Sequence, residues 1–227
     1  MMAVITISRQ FGSLGDDVAA RVGQLLGYRL FDKYLMAEVA AEAAVATTEV
    51  VDFSEDKYQV RSFLDRVFGR STPRPLGRVG TWQESTAGER IRAAIEIDET
   101  YGLTIVRQLI EAAYERGKVI IVGRGGQVVL KDKAEVLHVR IVAPDETRIQ
   151  RVHDQRIGTW DEAREEVTRR DRASAEYLRR FYGIDWSEPA HYHLVINAER
   201  WGVEGVAQLI VRAVDLQPVV SPKSQAA

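Results

Sequence analysis

Apolar residues along this chain fall into two rhythms, short continuous runs and repeats of three to four. Ala3 to Ile7 is a continuous run, and beyond the turn-forming stretch Arg9 to Gly15 apolar residues recur at Val18, Val22, Leu25 and Leu26, the spacing of a helix. Strand, glycine loop and helix are predicted in that order. Gly27 to Lys33 reads as a turn and a short second strand, with Asp32 either at the strand end or capping a helix from Tyr34 to Ala46. From Thr47 to Tyr101 the pattern predicts helical pieces and no clear strand: an amphipathic helix over residues 54 to 69, a loop over Ser71 to Gly80, and a long helix from about Glu89 to Glu115 that ends at Gly117.

The second half returns to buried strands. Lys118 to Gly123 and Val136 to Val142 are near-continuous apolar runs, as expected of strands covered on both faces. Pro144 suits the first position of the helix that follows, and Gly158 ends that helix. Thr159-Trp160-Asp161-Glu162 is a capping box for another helix running to about Tyr182. His193 to Asn197 reads as the last strand and Val203 to Leu216 as the last helix, with residues 217–227 a disordered tail.

Composition removes several function classes. The formal net charge of −2 gives no general attraction to nucleic acid or anionic membranes, and the absence of cysteine excludes disulfides and thiolate metal sites. No apolar stretch approaches the roughly 20 residues that cross a bilayer, and the first residues lack the basic leader of a secretion signal. The expectation is a cytoplasmic protein with no nucleic-acid or membrane partner.

The candidate chemistry concerns anions. A loop with little side-chain bulk before a helix lets a phosphate approach unpaired backbone N–H groups and the positive end of the helix dipole. Gly12-Ser13-Leu14-Gly15 offers such a loop, but the full pattern GxxxxGK[ST] is incomplete, because Gly15 is followed by Asp16 and Asp17. Arg124, flanked by glycines at the end of an apolar run, is a second phosphate candidate. Residues 140 to 180 hold ten arginines, no lysine and nine acids, a balance that argues against a nucleic-acid surface and favours bidentate recognition of phosphate or carboxylate. His138, inside a strand with no ligand-spaced partners, reads as a packed core histidine.

Together these features resemble the nucleoside monophosphate kinases and, more closely, the cytidylate kinase-like family. The residues carrying the resemblance are Ile5 to Ser13, Ile121 to Gly125, Arg169 to Arg172, Tyr182 to Trp186 and Trp201 to Gly205. It implies an α/β fold: a three-layer, parallel five-stranded P-loop kinase-like sheet flanked by helices, with a helical insertion and a mobile arginine-bearing lid. The expected domain is 1–216, with a core of 1–46, 102–155 and 190–216, a substrate-side insertion at 47–101 and a lid at 156–189. The implied activity moves the γ-phosphoryl group of ATP, with Mg²⁺, to a nucleoside monophosphate such as CMP or a similar small acceptor. The alternative class is a catalytically weak nucleotide-binding regulatory protein derived from such a kinase.

On this mapping Gly12, Ser13 and Gly15 would cradle the donor phosphates through backbone N–H groups; from expected proximity, Arg9 or Lys33 would reach those phosphates from neighbouring strand ends and Asp16 or Asp17 would help hold Mg²⁺. Arg124 would hold the acceptor phosphate, with Asp32, Lys33 and Asp171 on the substrate side. Arg148, Arg151, Arg170 and Arg172 would neutralise the transferred group. Cytidylate kinases have glycine-lysine where this chain has Leu14-Gly15 and an aspartate where Gly125 stands; the wider family usually lacks the lysine but tends to have glycine for Leu14 and a basic residue for Asp16.

Overall fold

The computed structural model describes residues 4–31, 35, 78–84, 90–96, 99–155 and 158–216. The first apolar run forms β1 (Val4–Arg9) and leads through the glycine loop into α1 (Gly15–Leu26), after which β2 (Arg29–Leu30) is two residues long. Next come β3 (Arg78–Glu84), β4 (Arg90–Glu96), α2 (Glu99–Arg116), β5 (Val119–Val122), the single turn α3 (Gly126–Val129) and β6 (Val136–Val142). The chain then forms α4 (Asp145–Gln155), α5 (Trp160–Tyr182), a 3-10 turn at Pro189–His191, β7 (Leu194–Asn197) and α6 (Gly202–Asp215).

Five strands make one sheet in the order β2-β5-β1-β6-β7, and every neighbouring pair is parallel. Alternation along the strands feeds two cores. Ile5, Ile7, Leu137, Val139 and Ile141 face α1 and α6, meeting Val18, Val22, Val206 and Ile210. Val4, Val136 and Ile121 face the other way onto Val106, Leu109, Ile110 and Ala113 of α2. The result is helix, sheet, helix, as expected. Because β1 lies between β5 and β6, its C-terminal end and theirs open on one edge, where open parallel sheets place their ligands.

One expectation about the insertion is corrected. Arg78–Glu84 and Arg90–Glu96 pair antiparallel in register Val79↔Ile95, Thr81↔Ala93 and Gln83↔Ile91, not helix or loop, and the helix that was to start near Glu89 starts at Glu99. Ile91, Ala93 and Ile95 repeat with period two, and that alternation outweighs the helix-forming alanines among them. The helices expected at 34–46 and 54–69 and the tail at 217–227 lie outside the described residues. Pro144 accepts the first helical bond from Arg148 N, so it stands just before α4, not at its first turn. Among the described residues no helix is long and apolar enough to cross a membrane.

Truncating a central strand should be costly. Ile141→Ala removes a fully buried side chain and should lower stability by about 2–5 kcal/mol in urea unfolding, whereas Val195→Ala on the exposed side of β7 should stay within about 0.5 kcal/mol of the parent.

Candidate active site

The loop between β1 and α1 is braced from every side. Gln10 N donates to Ile141 O at 3.1 Å, and Gln10 Oε1 accepts from Ala143 N at 3.1 Å. Ser13 N donates to Gln10 O at 3.2 Å and Ser13 Oγ to Ile141 O at 3.3 Å. Ser13, expected to meet a phosphate through its N–H, therefore turns inward and braces the loop. Leu14 sits in the left-handed region at φ 68°, immediately before α1, and provides no side-chain cap. The first helical bond is Val18 N to Leu14 O, so the N–H groups at Gly15, Asp16 and Asp17 open the helix as an anion-accepting end.

Arg148 is the main clamp on this loop. Its side chain is 3% exposed, and its donors go to Ala143 O at 3.0 Å, Phe11 O at 2.9 Å, Asp171 Oδ2 at 2.7 Å and Asp145 Oδ1 at 2.5 Å. Asp171 completes the ring by accepting from Phe11 N at 2.8 Å. Burial pushes the Asp171 carboxyl above its ordinary range, opposed by the Phe11 N–H and by Arg148. These two residues were expected to touch the transferred group and the substrate; the structure spends their polar atoms on holding loop, α4 and α5 together.

The other arginines divide. Arg170 lies with its guanidinium carbon 4.9 Å from the centre of the Phe11 ring and donates Nε to Glu166 Oε1 at 2.9 Å. Burial alone would raise Glu166, but Arg169 and Arg170 outweigh it and carry the carboxylate below its usual range. Arg151 reaches Gly12 O and Ala198 O, both at 3.4 Å, and burial lowers its pKa against the pull of Glu199. Arg172 pairs with Glu176 at 2.8 Å on an exposed face of α5 and does not join this group. Arg9 donates Nε to Asp16 Oδ1 at 3.1 Å, while Asp17 is exposed in the same helical turn. Asp32 and Lys33 lie outside the described residues.

At the end of β5, Gly123, Arg124 and Gly125 have φ of 67°, 58° and 71°, three successive left-handed residues. Gly123 N donates to Ile7 O at 3.0 Å, which sets this turn beside the end of β1. A Cβ at Gly125 would lie 2.4 Å from Tyr182 Cε2, so a side chain here requires the Tyr182 ring to move. Tyr182 also donates its hydroxyl to Arg124 O at 3.2 Å, and Arg124 Nη1 donates to Phe31 O at 3.2 Å. Strain of this kind in a non-glycine residue persists where surroundings hold it, as at ligand sites.

Sequence reading missed a polar stripe on the sheet face under the end of α5. Arg140 is 5% exposed, lies 4.2 Å from the Trp186 ring centre and donates Nη1 to Tyr192 OH at 3.4 Å. Trp186 Nε1 donates to Ser8 Oγ at 2.8 Å. Thr6 Oγ1 and His138 Nδ1 are 2.7 Å apart, which keeps His138 a packed histidine. The available signal was an arginine inside an otherwise apolar strand.

The model of the cytidylate kinase-like family matches residues 4–200, and the chain belongs to that family. The cytidylate kinase of Pyrococcus horikoshii is 30% identical over 132 residues, covering 58% of this chain and 67% of its own length. That of Methanocaldococcus jannaschii is 27% identical over 171 residues, covering 74% and 91%. A crystal structure of an uncharacterized protein from Eubacterium ventriosum superposes with TM-score 0.61 at 18% identity, over 94% of this chain and 99% of that one, a likeness of fold.

Two outcomes follow from this geometry. Asp171→Ala leaves the Arg148 guanidinium buried without its inner carboxylate and should cost about 3–5 kcal/mol in urea unfolding. Burial, then repulsion from His193, pushes His138 down from 6.5 to about 4, so the folded state binds fewer protons than the unfolded one between those values. Its contribution, on the order of 3 kcal/mol, is present above pH 6.5 and lost as pH falls toward about 4. The urea midpoint of His138→Gln should change less than the parent's across that window.

Proposed function

We propose that this member of the cytidylate kinase-like family is a phosphotransferase that moves the γ-phosphoryl group of ATP to a nucleoside monophosphate, with CMP the leading acceptor. The observation that carries the reading is the meeting of two anion-suited backbone turns on one edge of the sheet. The loop before α1 and the left-handed Arg124 turn stand on adjacent strands, joined by the bond from Gly123 N to Ile7 O. The cytidylate kinases to which the chain is similar supply the substrate class.

Two polyanions side by side repel, so such a transfer requires fixed positive charge more than covalent help from the protein. In the proposed reaction an acceptor phosphate oxygen forms a bond to the γ-phosphorus, the bond from that phosphorus to the β,γ-bridging oxygen breaks, and the electron pair leaves with ADP. The open N–H groups at Gly15 to Asp17 receive the donor phosphates. Arg124 holds the acceptor phosphate, while Arg151 beside Gly12 and Arg170 over Phe11 face the charge between them. Asp17 is an exposed carboxylate in the first turn of α1, and a hard oxygen there suits Mg²⁺, which binds through one or two carboxylates plus phosphate oxygens. The bound ion would supply charge neutralisation to the phosphates.

A second reading has its own support. Asp16 and Asp17 put two carboxylates where the donor phosphates would lie, and Asp16 already engages Arg9. A nucleotide-binding regulatory module with little turnover accords with that.

ADP formation from ATP·Mg²⁺ with CMP, dCMP, UMP and AMP separates the two. Turnover highest with CMP, and reduced about ten- to a hundredfold in kcat/KM by Arg124→Ala, is the expected result. Nucleotide binding without turnover on any acceptor would favour the regulatory module.

A further inference from the structure

On the mapping to cytidylate kinases position 15 is where the loop lysine falls, and the side chain of Arg9 leaves no space for one in this chain. A Cβ at Gly15 would lie 2.3 Å from Arg9 Cβ, 2.6 Å from its Cγ and 3.6 Å from its Cδ. The stem of Arg9 therefore runs through the volume that a side chain at 15 would enter. Its guanidinium is carried over the first turn of α1, where Nε meets Asp16 Oδ1 at 3.1 Å and only 13% of the side chain is exposed. An arginine on the preceding strand and a lysine on the loop exclude each other here.

We propose that Arg9 delivers from the end of β1 the cation that phosphate loops otherwise deliver from their own lysine, with its guanidinium contacting the β and γ phosphates of a nucleoside triphosphate. The inference rests on the loop being the triphosphate site. A guanidinium suits the task, since its planar fork bonds two phosphate oxygens at once and keeps its charge at every working pH. Asp16 is its counter-ion before nucleotide arrives, so binding exchanges one carboxylate for phosphate oxygens. Glycine at 15 is then required by Arg9, and the missing lysine is a relocation of charge.

Binding of ATP, ADP and AMP by calorimetry, without acceptor, tests this independently of turnover. Arg9→Met keeps the stem over Gly15 and removes the charge; it should weaken ATP about ten- to a hundredfold, ADP less, and AMP hardly at all, with an unchanged melting temperature. Arg9→Lys, which keeps the charge without the two-pronged fork, should retain more ATP affinity than Arg9→Met and less than the parent. Gly15→Lys alone should gain nothing and melt earlier, because it collides with the Arg9 stem. Combined with Arg9→Gly, which clears that stem to the Cβ, it should bind ATP more tightly than Arg9→Gly alone. Tight ATP binding in the parent that Arg9→Met leaves intact, or an equal loss for all three nucleotides, would overturn the proposal while leaving the site in place. No ATP binding by the parent would overturn the site reading and this inference together.

Discussion

A single buried guanidinium holds the working edge of this molecule together. Arg148 closes a ring through the Phe11 carbonyl, the Asp171 carboxylate and the Phe11 N–H, and so ties the loop after β1 to two helices that follow β6. Taking such a charge from water costs several kcal/mol, and only well-aligned acceptors repay it. Here Ala143 O, Phe11 O and two carboxylates do so. The loop backbone is thereby set before any ligand arrives, which a site acting by fixed dipoles needs.

Much of the fold was legible because its signals are local. The runs at Val4–Arg9, Val119–Val122 and Val136–Val142 are largely buried on both faces, and the Thr159 capping box and the left-handed Gly183 mark the ends of α5 where sequence places them. The antiparallel pair Arg78–Glu84 and Arg90–Glu96 was not legible, since Arg90 to Glu96 mixes helix-forming alanines with a strand's alternation. The site was legible in residue type more than in role. Nothing near Arg148 in sequence shows that its partners are Phe11 and Asp171, 137 and 23 positions away. Charge patterning separates arginines from lysines; only packing separates an arginine that binds a ligand from one that binds the protein.

Both turns at the ends of β1 and β5 rest on backbone conformations that side chains disfavour. Leu14 at φ 68° and Arg124 at φ 58° occupy the left-handed region, where a non-glycine residue pays for its Cβ. Each is held by its surroundings: Leu14 O accepts the first bond of α1, and Arg124 O accepts from Tyr182. Leucine instead of glycine at position 14 makes the turn harder to adopt and leaves the unfolded chain fewer alternatives.

Helix α5 is one uninterrupted rod of 23 residues, roughly 35 Å long at 1.5 Å per residue. It is tethered to α4 by Ala163 and Val167, to the loop after β1 by Asp171, and to Trp186 by Tyr177 and Leu178 before Tyr182 meets the Arg124 carbonyl. One helix therefore reaches both turns, accepting from Phe11 N through Asp171 at the first and donating the Tyr182 hydroxyl to Arg124 O at the second, so its length sets the spacing between them.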